Sequence, residues 1–235
     1  MKLSRIIVVL ALTFGMVTQL YAAQNKPFEL AADVIEYDSS SGIMTGKGAV
    51  VLTQDNAVLT GSNVQYNSKS QEAFMTGGVK LVQDNTTLTA DELRSYENNH
   101  VIASGSVELV RGDSTLTGPQ VDYFVDKAYA VIENNGRLVM PDGVMTANKL
   151  EANLNDSQVV GTGNVHIVSP TRQLDATSDK VVYYGAKGET GRAVLSGNAR
   201  AVQEGNVLVG NKLTIYLEDK AVSAQGRSQL VVQPQ

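Results

Sequence analysis

Leu88-Thr-Ala-Asp-Glu-Leu-Arg-Ser-Tyr96, followed by Gly105-Ser-Val-Glu-Leu109, is the stretch on which the fold turns. Its second half places apolar Val107 and Leu109 on either side of Glu108, the period-two pattern of a strand with one wet face. Working outward, the first half recurs as Leu30–Tyr37, Leu59–Tyr66, Leu116–Tyr123, Met145–Leu150, Leu174–Thr177 and Leu208–Tyr216. The copies start at positions 30, 59, 88, 116, 145, 174 and 208, a near-constant spacing of about 29 residues that marks a repeat. The second half recurs as Gly48–Leu52, Gly77–Leu81, Gly136–Met140 and Gly163–Ile167, and in degenerate form as Gly197–Ala201 and Gly226–Leu230. Lys80, Glu108, His166, Arg200 and Gln229 fall on the face opposite the apolar set.

Turn-forming residues separate the halves. Asp38-Ser-Ser-Ser-Gly42, Asn67–Ser70, Glu97–Asn99 and Asn153–Ser157 make one reversal; Gln54–Asn56, Gln83–Asn85, Arg111–Asp113, Pro141–Gly143 and Glu204–Asn206 make the other. One unit is therefore strand, turn, strand, turn, and about seven units make an all-β chain. Two architectures fit: an elongated antiparallel jelly-roll, folded over like a taco into two facing sheets, or a parallel β-solenoid. Two tight reversals per unit favour the antiparallel form. The unpaired groups on the first strand, near Glu29–Tyr37, and the last, Leu208–Val232, make those strands candidate assembly edges.

The N-terminus carries basic Lys2 and Arg5, the apolar run Ile6–Val17 and small residues up to Ala23, the layout of a secretory signal peptide. Twelve apolar residues are short of a membrane-spanning helix. We expect residues 1–23 to be a cleaved leader and 24–235 one domain, which places the mature chain in the periplasm. The net charge of −5 disfavours a nucleic-acid surface, which needs a basic stripe. With no cysteine there is neither a disulfide nor a lipoprotein anchor, and the lack of Trp with 6% aromatics disfavours an outer-membrane barrel.

Repeats of the type Leu-Thr-Ala-Asp-x-Leu-x-x-Tyr…Gly-x-Val-x-Leu behind a leader resemble the LptA/OstA-like lipopolysaccharide transport proteins over residues 24–235. The resemblance implies a periplasmic β-jelly-roll that carries lipopolysaccharide, joins inner-membrane and outer-membrane transport components, and stacks end to end. Two departures stand out: Ala152 occupies the place of a repeated Tyr, and the sixth unit is extended around Gly185–Gly191. A retained leader would instead suggest an inner-membrane-anchored relative resembling LptC. The residues alone also leave open an exported structural or adhesive β-solenoid.

For a lipid carrier the inward residues become candidate groove-lining positions: Ile35, Val50, Leu52, Val64, Val79, Leu81, Leu93, Val107, Leu109, Val121, Leu138, Met140, Val165 and Ile167. The competing reading is a closed hydrophobic core, the usual fate of such a pattern. The repeated Tyr37, Tyr66, Tyr96, Tyr123 and Tyr216 are read as cross-strand packing, with a groove lip as the functional alternative. Asp33 and Asp91 are expected to hydrogen-bond turn backbone, and the repeated glycines to permit bulges or turns. An enzyme is not expected. His100 and His166 lack a neighbouring carboxylate pattern, and neither a phosphate-binding loop nor a nucleophile elbow is present. No cofactor or metal is implied.

Overall fold

The computed structural model describes residues 28–96, 100–124, 126–153, 155–156, 158–185, 191–216 and 221–233. The expected leader, the turn at Glu97–Asn99 and most of the extension at 185–191 lie outside them. The described residues form two compact units that divide between Asn134 and Asn135.

The N-terminal unit contains β1 (Glu29–Ala31), β2 (Val34–Asp38), β3 (Ile43–Gln54), β4 (Ala57–Asn67), β5 (Glu72–Gln83), β6 (Thr86–Tyr96), β7 (His100–Arg111), β8 (Ser114–Phe124) and β9 (Tyr129–Ile132). The C-terminal unit contains β10 (Gly136–Met140), β11 (Gly143–Ala147), β12 (Lys149–Asn153), β13 (Gln158–Ser169), β14 (Leu174–Tyr184), β15 (Arg192–Gln203), β16 (Asn206–Tyr216), β17 (Val222–Gln225) and β18 (Gln229–Val231). From β3 to β9, and again from β13 to β16, each strand pairs antiparallel with the next. The antiparallel jelly-roll form is observed, and the parallel solenoid is not.

Long strands alternate between 12 and 11 residues, and the extra residue sits at mid-strand. Between β7 and β8, Ser104 pairs with Gln120 and Val107 with Gly118, so Gly105 and Ser106 together oppose Pro119 alone. That two-against-one arrangement is a β-bulge, and it bends the strand. Both bulge residues are left-handed, Gly105 at φ 79° and Ser106 at 49°. The same left-handed pair recurs at Gly48-Ala49, Gly77-Gly78, Gly163-Asn164 and Gly197-Asn198. Pro119 has no N–H to give a ladder, and a position facing a bulge is where a strand tolerates it.

A polar side chain from the preceding strand fills the space over each bend. Asp91 lies against Gly105, Ser62 against Gly77, Asn148 against Gly163 and Asp179 against Gly197. Backbone bonds hold the same junction: the Asp33 N–H donates to the Gly48 carbonyl at 2.9 Å, and Asn148 N–H to that of Gly163 at 2.8 Å. Asp33 and Asp91 thus belong to bends in the middle of long strands, not to the turns at their ends. The Gly-x-Val-x-Leu motif correspondingly begins at a bend, several residues inside its strand.

The bend gives each strand two halves that belong to two walls. On β5, Met75 before the bend and Leu81 after it are only 2% and 4% exposed. Leu30 pairs with Leu52 beyond the bend, yet its Cδ1 would lie 3.6 Å from a Cβ at Gly46 before the bend. In the C-terminal unit Ala147, from one wall, stands 3.3 Å from a Cβ position at Gly161 on the other. The walls meet at the bends and end in two margins: a tight-turn margin (such as 54–57 and 83–86) and a wide-turn margin (such as 67–72).

The bend should be the most substitution-sensitive backbone feature. Gly105→Ala forces a Cβ into the left-handed region, costing about 1–2 kcal/mol, and also drives it into the Asp91 carboxylate. Gly112 has φ 53° but nothing within 4 Å of an added Cβ. Urea unfolding should therefore show a clearly larger loss for Gly105→Ala than for Gly112→Ala.

Candidate functional site: an apolar interior with polar margins

Register builds the interior from rungs that cross successive strands. In the N-terminal unit Leu30, Leu52, Leu59, Leu81, Leu88, Leu109 and Leu116 form one in-register row from β1 to β8. Beyond the bend a second row runs Ile35, Gly46, Val64, Met75, Leu93, Ala103 and Val121. The C-terminal unit repeats the arrangement, with Leu138, Met145, Ile167, Ala176, Ala201, Leu208 and Leu230 in one row. Leucines directly opposite one another are close enough to pack, and a whole row behaves as one apolar strip.

Most of the predicted groove-lining residues lie in these rows or next to them. Val50, Val64, Val79, Leu81, Leu93, Val107, Leu109, Val121, Leu138, Val165 and Ile167 are buried. Leu52 and Met140 are half-buried. Ile35 begins the second row but is 48% exposed, because every residue of β2 is exposed. Apart from Ile35, the structure thus groups these side chains in the interior of each unit.

The repeated tyrosines divide. Tyr123 is fully buried and Tyr37 is exposed, while Tyr66, Tyr96 and Tyr216 are half-buried. Tyr123 and the buried Tyr183 both have phenols pushed above the ordinary tyrosine range, chiefly because burial disfavours the phenolate. For Tyr183 the Asp142 carboxylate pushes the same way and the Arg172 guanidinium opposes it.

Polar contacts gather near the margins. At the tight-turn margin the inward position turns polar: Gln54, Gln83, Thr86, Ser169. Gln83 Nε2 donates to Asn56 Oδ1 at 3.0 Å, and Asn56 Nδ2 to Asp84 Oδ1 at 2.6 Å, tying two neighbouring turns. In the C-terminal unit, Arg172 sits on the 3-10 turn Pro170–Arg172 at that margin. Its Nη2 is 3.2 Å from Asp142 Oδ2, and its Nη1 donates at 3.0 Å to the carbonyl of Tyr216 at the wide-turn margin.

Both histidines do have carboxylate partners. His100 Nε2 is 3.0 Å from Asp122 Oδ1, and its ring stacks on Phe124 at 4.5 Å. His166 Nε2 is 3.1 Å from Asp175 Oδ1. These pairs join neighbouring strands, which only the register could reveal. Among the described residues no group of three or more His, Asp or Glu is placed to hold a metal ion.

Set beside known proteins, the chain matches the family model for LptA/(LptD N-terminal domain) LPS transport protein over residues 60–100 and 94–221. The protein belongs to that family. It is 34% identical over 68 residues to the LPS-assembly protein LptD of Nitrosomonas europaea, a match covering 29% of this chain and 9% of LptD. It is also similar to the crystal structure of LptH, the LptA homologous periplasmic component of the lipopolysaccharide transport device of Pseudomonas aeruginosa. That likeness has 16% identity and a TM-score of 0.30, over 61% of this chain and 94% of LptH.

The buried phenols set a pH dependence with a definite sign. Raised pKa values mean that the folded state holds these protons longer, so their stabilisation is complete below the unfolded tyrosine value near 10. It is lost as pH climbs through the folded values. Unfolding midpoints at pH 8 and pH 11 should therefore differ more for the native chain than for the Tyr123→Phe/Tyr183→Phe variant.

Proposed function

We propose that this protein is a periplasmic carrier of lipopolysaccharide that shields acyl chains between its two apolar walls and bridges inner-membrane and outer-membrane transport components. The observation that carries the reading is the continuous in-register row of leucines from β1 to β8, in a chain of a lipopolysaccharide transport family. An acyl chain gains about 0.8 kcal/mol per buried CH₂, so an uninterrupted strip is worth more to it than isolated pockets. The close packing of the interior means that chains enter by parting the walls from their margins, while the bends stay intact. Carriage is not chemistry, and no enzymatic step is assigned.

Photo-crosslinking residues at Leu81 and Leu109 test the reading. Both should capture lipopolysaccharide supplied to the purified chain, whereas one at exposed Lys80 should not. Folded protein that never captures lipid from either interior position would overturn it.

The reading extends to assembly. Val34, Ile35 and Tyr37 on β2 and Leu230 and Val231 on β18 are exposed apolar side chains on terminal strands. Such strands recruit a further strand, and here they would join copies end to end or dock the transport partners. Light scattering should show mass rising with concentration for the native chain and a constant monomer for Ile35→Lys/Tyr37→Asp. A strict monomer at high concentration in the native chain would remove self-assembly from the proposal.

A further inference from the structure

One guanidinium in the C-terminal unit touches both margins of the walls. Arg172 leaves the tight-turn margin, where its carbonyl accepts a long 3.5 Å bond from Gln203 Nε2 and Thr171 Oγ1 reaches the Asp142 carbonyl at the same distance. From there Nη2 meets Asp142 and Nη1 crosses to the Tyr216 carbonyl, 44 residues away in the chain. The arginine side chain is only 15% exposed, whereas its Asp142 partner is 46% exposed. The buried Tyr183 phenol stands within the electrostatic reach of both charges. Inward of the margin lies apolar Leu174, on the strand that follows the Arg172 turn.

This geometry has two consequences. The walls cannot part along this stretch while Nη1 holds the Tyr216 carbonyl. The clasp also uses the side chain best suited to phosphate, a planar fork of donors that is always charged. Its carboxylate partner is 46% exposed, so water screens that side of the ion pair, and a phosphate would offer the fork more charge and more acceptor oxygens than one carboxylate does.

We propose that Arg172 is a phosphate-gated latch: the phosphate of an incoming glycolipid takes the guanidinium from Asp142 and Tyr216, which frees the wide-turn margin and admits the acyl chains. The residue that shuts the interior is thereby the one that selects phosphorylated lipid. This rests on the lipid-carrier reading for its physiological ligand, though the latch itself can be measured without lipid.

The test uses the full mature chain, with Arg172→Gln and Asp142→Asn variants, in two arms. In the lipid-free arm, amide exchange is followed around the Tyr216–Ala221 backbone bond with and without inorganic phosphate. Phosphate should speed exchange there in the native chain, and Arg172→Gln should exchange fast with or without it. In the lipid arm, binding of purified lipopolysaccharide is compared with the same lipid stripped of phosphate. The native chain should prefer the phosphorylated lipid roughly tenfold, which corresponds to about 1.4 kcal/mol. Arg172→Gln should lose that preference while still binding the stripped lipid, and Asp142→Asn should strengthen binding of the phosphorylated form alone. If Arg172→Gln fails to fold, Asp142→Asn decides: an equal effect on both lipids overturns the proposal. Exchange at the wide-turn margin that ignores both phosphate and Arg172→Gln also overturns it. If the native chain binds neither lipid, the carrier reading fails, and the phosphate response of the lipid-free chain still decides the latch.

Discussion

The two-against-one bulge at mid-strand is the constraint from which the rest of the structure follows. A flat antiparallel strand of 12 residues would present one apolar face and one wet face along its whole length. One extra residue, with two consecutive residues left-handed, bends it, so that one strand contributes an inward side chain to each of two walls. The bend needs a residue without a side chain where Asp91, Asn148 or Asp179 settles over the backbone. Since each bend lies beside the next in the sheet, one bend out of register would open a gap between neighbouring strands as well as within its own.

Much of this is legible in the residues. The repeat and its period of two led directly to antiparallel strands, and the inward assignment of residues such as Val79, Leu81, Val107 and Leu109 matches their burial. The repeated glycines do sit in bulges, but each Gly-x-Val lies at a strand's midpoint and not at its opening. A signal for that placement was present. Leu59 and Val64, Leu88 and Leu93, Leu116 and Val121, and Met145 and Leu150 all stand five apart. An odd interval between two inward residues cannot occur on a regular strand, so the period itself announces a bend at the residue opposite each bulge.

Other features lay beyond the pattern for a physical reason. Arg172 belongs to one turn alone, and its meeting with Tyr216 joins residues 44 apart in the chain. His100 finds Asp122, and His166 finds Asp175, only through strand register. Repetition exposes what every unit shares, the walls and their bends. What individual units add at the margins, such as the Arg172 clasp, lies outside that shared pattern.

The alternation of 12- and 11-residue strands has a consequence for how such a chain can change in length. A single residue gained or lost inside a strand would turn all later side chains of that strand inside out. A residue gained in a turn leaves every wall untouched, as the extension after Tyr184 illustrates. Between these extremes the neutral step is a whole hairpin, one bulged strand with its unbulged partner, because only that increment returns the pattern to its starting phase. Reach can therefore be adjusted by duplication or deletion in quanta of one hairpin, without redesign of any interior contact other than those at the seam.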